Sequence, residues 1–105
     1  MVYYITYNNE NEAAEKLIEL TDYAKNKNLK YGVINMNSLL SDFVKLAEND
    51  TKIVIVADLD RMGNILKNAI APLIENLTKT KEVYIIVSES EYKEKETELL
   101  KIDNE

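Results

Sequence analysis

Two aspartates separated by a single residue follow the most apolar run of this 105-residue chain. Residues 53–57 read Ile-Val-Ile-Val-Ala, and Asp58, Asp60, Arg61 and Gly63 come directly after them. Carboxylate oxygens are ligands that Mg²⁺ prefers, and proteins usually hold this ion with one or two carboxylates plus water or phosphate. The segment therefore predicts a magnesium site at Asp58 and Asp60, with both carboxylates facing solvent and within ~5 Å of each other.

The other two residues of this segment have simpler interpretations. Arg61 is the only arginine in the chain, and it is either a phosphate contact or a salt-bridge partner of the aspartates. Gly63 is interpreted as a structural residue that permits the turn before the next helix. The aspartates themselves could also be turn residues, since aspartate is common at the N-termini of helices.

Composition excludes several classes of chemistry. The chain has no histidine and no cysteine, so histidine bases, thiolate nucleophiles and thiolate metal sites are ruled out. Its net charge of −6 argues against broad, non-specific binding of phosphate backbones. No apolar run approaches the ~20 residues of a membrane span, and no signal-peptide pattern opens the chain. We therefore expect a cytoplasmic protein with no membrane contact.

Hydrophobic periodicity predicts alternating strands and helices. Asn9 and Glu12 are spaced as a capping box for the first helix, and Ser38 is a suitable N-cap for the second. In the second helix Leu39, Leu40, Phe43, Val44 and Ala47 are expected to face inward. The predicted strands cover residues 2–6, 31–36, 52–57 and 82–87, and the predicted helices cover residues 10–25, 39–48 and 65–78.

Continuous apolar strands that alternate with helices indicate an α/β fold, with a parallel sheet covered on both faces. We predict three layers and a four-stranded sheet in the flavodoxin-like order 2-1-3-4. Residues 1–88 form one domain in this interpretation, and residues 89–105 form a charged tail or a short helix. Strands one and three would be neighbours, so residues 7–10 and 58–63 would meet at the carboxyl edge, where such sheets bind ligands.

The segment Asp58-Leu-Asp60-Arg-Met-Gly63 resembles the Asp-x-Asp-x-x-Gly motif of the Toprim domain, which occurs in topoisomerases, primases and small RNA-maturing nucleases. Residues 31–38 are similar to the family's strand and Asn-Gly-Thr/Ser turn, with Asn37 in place of the usual glycine. The resemblance covers about residues 3–87. It implies Mg²⁺ bound at Asp58 and Asp60, and phosphoryl transfer on nucleic acid.

One position departs from this family. Toprim domains carry a glutamate at the end of strand one, where it acts in acid–base chemistry or binds metal, and Tyr7 occupies that position here. Glu10 and Glu12 follow a few residues later, and the catalytic role is not carried over to them. The resemblance therefore implies a domain that lacks the full catalytic set, with no catalytic residue assigned.

A second resemblance competes with the first. Residues 59–63, Leu-Asp-Arg-Met-Gly, followed by Asn64, are similar to the Leu-Asp-Arg-Leu-Gly-Arg segment of serine recombinases. The recombinase arginine and nucleophilic serine of strand one would fall on Thr6 and Asn8, and the last arginine on Asn64. This resemblance implies an inactive recombinase-like domain that serves as an interaction or regulatory module. An aspartate-nucleophile phosphatase is a third alternative, but it needs a downstream lysine and acidic pair.

These observations lead to two functional hypotheses. As an enzyme, the chain would carry out Mg²⁺-dependent nucleic-acid phosphoryl transfer, with the ion on Asp58 and Asp60 and phosphate on Arg61. As a binding module, it would keep the fold without the chemistry. The expected partner is nucleic acid or a nucleic-acid-processing protein, and a homodimer is left open. Because no base stands at Tyr7, we expect little activity from the isolated chain.

Overall fold

Strands and helices alternate along the chain in the computed structural model, which describes residues 2–38 and 40–94. Each predicted strand and helix is found with ends within two residues of expectation, as far as the described residues extend. The second strand is shorter than expected and ends at Ile34, and Leu39 lies outside the described residues. The elements are β1 (Val2–Tyr7), α1 (Glu10–Asn26), β2 (Tyr31–Ile34), α2 (Leu40–Glu48), β3 (Ile53–Val56), α3 (Asn64–Thr78), β4 (Glu82–Ser88) and α4 (Glu89–Glu94).

The sheet has four parallel strands, so the predicted α/β class is confirmed, but the predicted strand order is wrong. The order is β1-β4-β3-β2, with β4 lying between β1 and β3. Strand composition gives the physical reason, since the central strands must be apolar on both faces. All four residues of Ile53–Val56 in β3 are fully buried, whereas β1 and β2 carry tyrosine, threonine or glycine and, apart from Ile34, have no buried residue.

Helices cover both faces of the sheet, as predicted. Helix α1 packs on one face, where Ala24 lies against Ile53, Ile55 and Ile86. Helices α2 and α3 pack on the opposite face, which is formed by the alternate residues of the same strands, such as Val54, Val56, Val83 and Val87. The chain moves from β2 to β3 to β4 in one direction, but from β1 to β2 in the other. Because crossovers between parallel strands are right-handed, α1 must lie on the face of the sheet opposite α2 and α3.

The start of α1 forms a variant of the predicted capping box. Asn9 is the N-cap, and its side-chain Oδ1 accepts a hydrogen bond from the Glu12 backbone N–H at 3.1 Å. The Glu12 carboxylate accepts one from the Asn8 backbone N–H at 2.8 Å. Two carboxylate-bearing residues, Glu10 and Glu12, thus occupy the first turn, where the helix dipole favours negative charge.

Helix α2 contributes fewer core residues than the sequence pattern suggested. Phe43 is buried as expected, but Val44 is 51% exposed, which corrects its expected inward position. The Ser38 hydroxyl accepts a hydrogen bond from the Asn35 N–H at 3.0 Å, within the turn that precedes α2. Ile70, Ile74 and Leu77 bury the inner face of α3.

The chain leaves β1 and β4, which are neighbours, toward opposite faces of the sheet. After β1 it enters α1 on one face. After β4 it enters α4, whose Tyr92 packs with Tyr4 on the other face. Such a divergence leaves a crevice at the carboxyl ends of the two strands, where α/β sheets bind ligands. The switch point therefore lies between β1 and β4, and not between β1 and β3 as the sequence led us to expect.

Over residues 2–38 and 40–94, no helix combines the length and the apolar character that crossing a membrane would require.

Candidate functional site

A tight turn after β3 directs the aspartate pair toward the switch point. Asp58 has a left-handed backbone with φ of 59°, a conformation that aspartate tolerates better than most residues. A 3₁₀ turn over Leu59–Arg61 follows, with hydrogen bonds from Arg61 N–H to Asp58 O and from Met62 N–H to Leu59 O. Met62 is 6% exposed and holds the turn on the core beneath α2 and α3.

Asp60 joins the ends of two neighbouring strands. Its Oδ2 accepts a short hydrogen bond from the Tyr7 hydroxyl and a 2.7 Å hydrogen bond from the Ser88 backbone N–H. Tyr7 and Ser88 are register partners at the ends of β1 and β4. This Asp60 cluster (Tyr7, Asp60 and Ser88) therefore ties the turn after β3 to the switch point between β1 and β4.

The second carboxylate oxygen of Asp60 is the unusual feature of this cluster. Oδ1 is buried and has no hydrogen-bond partner within the described part of the chain. A buried acceptor without a partner costs free energy, of the order of 1–3 kcal/mol in mutational studies. The Asp60 carboxylate thus points into the protein, and this corrects the expectation that both aspartates face solvent.

Tyr7 stays protonated at neutral pH. Burial, followed by the hydrogen bond to Asp60 and the charge of that carboxylate, raises the pKa of Tyr7 from 10.0 to about 12. A phenol with this pKa donates its proton to Asp60 in a hydrogen bond and does not act as a base near pH 7. At the position where the Toprim resemblance would place a glutamate, the structure therefore has a hydrogen-bond donor.

Arg61 pairs with a carboxylate other than the two aspartates. Its Nη2 lies 3.0 Å from Oε1 of Glu10, which connects the turn after β3 to the first turn of α1. The side chains are 55% and 82% exposed, so water screens the pair. Exposed pairs of this kind typically contribute about 0.2–1 kcal/mol, and this one can therefore open at little cost.

A cleft of about 220 Å³ lies between α1 and the carboxyl edge of the sheet. Asp58 lines it, but Asp60 does not, so the turn separates the two carboxylates that the sequence pattern placed together. The lining residues are Tyr7, Glu10, Ala13, Ala14, Leu17, Ala57, Asp58, Arg61 and Ile86.

The aspartates do not fit a hydrated magnesium ion in this arrangement. Oδ2 of Asp60 already accepts two hydrogen bonds, and Oδ1 is sealed from solvent. Among the residues that the structure describes, no group of three or more acidic side chains is placed to hold a metal ion. A magnesium site at Asp58 and Asp60 would require the turn to move, and it stays a prediction.

Gly63 lies at the turn before α3, where it is the N-cap of that helix. Its φ of −71° is open to any residue, and a Cβ placed there would meet nothing within 4 Å. The left-handed conformation in this segment occurs at Asp58 instead.

The positions matched to the recombinase residues do not converge. Tyr7 faces the α1 side of the sheet, and the neighbouring residue Thr6 therefore points to the opposite face. Asn8 is exposed, and its backbone binds Glu12, while Asn64 begins α3. Ser88 was missed as part of the site because it contributes its backbone N–H, for which the residue type carries no signal.

Comparison of the chain with family models, with curated proteins and with solved structures finds no match.

Proposed function

We propose that this chain is a non-catalytic α/β domain of a nucleic-acid-processing lineage, Toprim-like in its aspartate motif, that works as an interaction module. The observation that carries the proposal is the Asp60 cluster. The motif aspartate that would bind metal is engaged by Tyr7 and Ser88, and Tyr7 has a raised pKa of about 12. Both groups hold the fold together, and neither is available for phosphoryl transfer.

The nucleic-acid-processing lineage in this proposal rests on the sequence resemblance, and the proposed lack of activity rests on the geometry of the residues. Toprim chemistry needs a carboxylate at the end of strand one, and Tyr7 supplies a protonated phenol there. The alternative is an inactive serine-recombinase-like domain, which leads to the same functional outcome because Asn8 cannot act as the nucleophile. The expected partner is a nucleic-acid-processing protein or nucleic acid itself, and a cytoplasmic location belongs to this proposal.

The environment of Asp60 Oδ1 favours a second candidate function, that of a Mg²⁺-dependent enzyme. A buried oxygen without a partner in the described residues is a group that a cation could satisfy if the turn opened. In that case Asp58, which already lines the cleft, would be the second ligand, and Arg61 would contact phosphate.

One set of assays separates the two candidates. The full chain is incubated with single-stranded and double-stranded DNA and with RNA, in Mg²⁺ or Mn²⁺, and cleavage, nicking and relaxation are followed. We expect no turnover and no broadening of the Asp58 or Asp60 amide signals by Mn²⁺. Turnover or broadening that disappears in Asp58→Ala would overturn the proposal and support the enzyme. Asp42→Ala in α2 is the matched control, because Asp42 lies across the sheet from the cleft.

A further inference from the structure

The cleft beneath α1 combines charged groups at its mouth with an apolar floor. Glu10 and Arg61 are largely exposed and form its rim, and Asp58 lines it beside them. Ala57 and Ile86 are 9% and 3% exposed and form its floor; Ile86 belongs to β4, and Ala57 directly follows β3. Ligand sites typically have this composition, a mostly apolar surface with a few placed polar groups.

Charge favours a ligand with two opposite charges. The lining carries two carboxylates, Glu10 and Asp58, and one guanidinium, Arg61. Arg61 and Glu10 already satisfy each other at 3.0 Å through a solvent-screened pair. A ligand carboxylate can take the place of Glu10 on Arg61, and a ligand ammonium can then lie against Glu10 and Asp58. Each charge keeps a partner in this exchange, so no uncompensated charge is created.

Phosphate ligands suit the cleft poorly. The N-terminus of α1 would ordinarily attract an anion, but Asn9 caps it and Glu10 and Glu12 place two negative charges in its first turn. The cleft carries one positive and two negative side chains, so a multiply charged phosphate would meet net repulsion.

Size restricts the ligand further. The cleft has a volume of about 220 Å³. This volume lies below the ~300–1,000 Å³ of pockets that accept drug-sized ligands. The apolar part of the lining, which includes Ala13, Leu17 and Ile86, suits a short aliphatic group.

The geometry points to a small aliphatic α-amino acid as the ligand of this cleft. Its carboxylate binds Arg61, its ammonium lies against Glu10 and Asp58, and its side chain packs on Leu17 and Ile86. Binding would bridge α1 and the turn after β3 at the switch point, and would thereby regulate the interaction module. The inference rests on the proposed function, since it requires that the cleft is not a phosphoryl-transfer site.

Calorimetric titration of the full chain with L-leucine tests this inference, with amide NMR shifts to locate the site. Isoamylamine and isocaproate are the comparison ligands, because each keeps the aliphatic group and one of the two charges. We expect L-leucine to bind about twofold to fivefold more tightly than either, since Arg61 and Glu10 are largely exposed and a charge pair at such groups is worth at most about a factor of five. Equal binding by one of the comparison ligands, or no binding of L-leucine, would overturn the inference.

Substitutions test the residues that are assigned to L-leucine binding. Arg61→Gln and Asp58→Asn should each weaken L-leucine binding about twofold to fivefold. Asparagine keeps the left-handed backbone of Asp58, so the fold is retained. Lys45→Gln on α2, across the sheet from the cleft, should leave the Kd unchanged. Unchanged binding in Arg61→Gln would contradict the assignment even if L-leucine binds.

Nucleic-acid turnover is measured on the same preparations, so that a failure of the proposed function can be distinguished from a failure of the ligand assignment. Turnover would overturn the proposed function and, with it, the premise of the ligand assignment. Absence of both turnover and L-leucine binding would overturn the ligand assignment alone.

Discussion

The carboxylate of Asp60 stabilises the end of the sheet by accepting two hydrogen bonds. Asp60→Ala removes the acceptor of the Tyr7 hydroxyl and of the Ser88 N–H. We expect it to lower the free energy of unfolding by about 1–3 kcal/mol, because a carboxylate acceptor is lost and a partly buried N–H loses its partner, while removal of the unpartnered Oδ1 offsets part of the loss. Urea denaturation measures the change. Asp60→Asn keeps one acceptor oxygen and should cost less, and equal losses in the two variants would contradict this account.

The raised pKa of Tyr7 makes the fold sensitive to alkaline pH. The folded protein keeps the Tyr7 proton up to a pKa of about 12, whereas the unfolded chain releases it near 10. Between these values the folded state binds more protons, so its stability falls as pH rises. We expect Tyr7→Phe to lose less stability than the parent chain between about pH 10 and pH 12 in urea denaturation. Tyr31→Phe on β2 serves as the control, and the same pH dependence in Tyr7→Phe and the parent would contradict the prediction.

At the scale of elements, the turn between β3 and α3 depends on Asp58 and Met62 more than on its glycine. Gly63 is the N-cap of α3 with a φ of −71° and open space around it. Serine is at least as good an N-cap as glycine. Gly63→Ser should therefore leave the free energy of unfolding unchanged or increase it by at most about 0.5 kcal/mol. Thermal denaturation followed by circular dichroism measures this. A loss above about 1 kcal/mol would mean that the turn needs the glycine.

Asp58 should respond to substitution in the opposite way to Gly63, since its φ is 59°. Asparagine and glycine adopt this conformation readily, whereas a β-branched residue does not. We expect Asp58→Val to cost about 1–2 kcal/mol and Asp58→Asn to cost little. The two variants have similar size, and their comparison by urea denaturation isolates the backbone effect from the loss of charge.

At the scale of the whole molecule, the strand order can be tested by disulfide formation, because the chain has no native cysteine. Thr6 and Val87 are register partners on β1 and β4. Paired positions on neighbouring strands lie within the ~4.4–6.8 Å between Cα atoms that a disulfide requires. The variant Thr6→Cys/Val87→Cys should therefore form an intramolecular disulfide under mild oxidation. Thr6→Cys/Val56→Cys should not, because β4 separates β1 from β3, and the reverse result would restore the order 2-1-3-4.

The local properties of the chain were determined by the sequence alone. Apolar periodicity predicted the four strands and the helices α1, α2 and α3 to within two residues over the described part of the chain, and Asn9 with Glu12 predicted the start of α1. Continuous apolar strands alternating with helices predicted a parallel sheet between two helical layers. These features depend on contacts close in sequence, or on one-dimensional patterns of burial, and both can be read from residue order.

Only the tertiary structure decided which strands are neighbours and which side chains meet. Right-handed crossovers permit several strand orders. The aliphatic runs of β3 and of residues 85–87 in β4 indicate central strands, but this signal is weaker than the motif that suggested β1 beside β3. The arrangement of the candidate site also differs from the expected one. Asp58 faces the cleft while Asp60 turns inward to Tyr7 and the Ser88 backbone, because a left-handed residue and a 3₁₀ turn separate them. Spacing places two carboxylates in one segment, but backbone geometry determines where each one points.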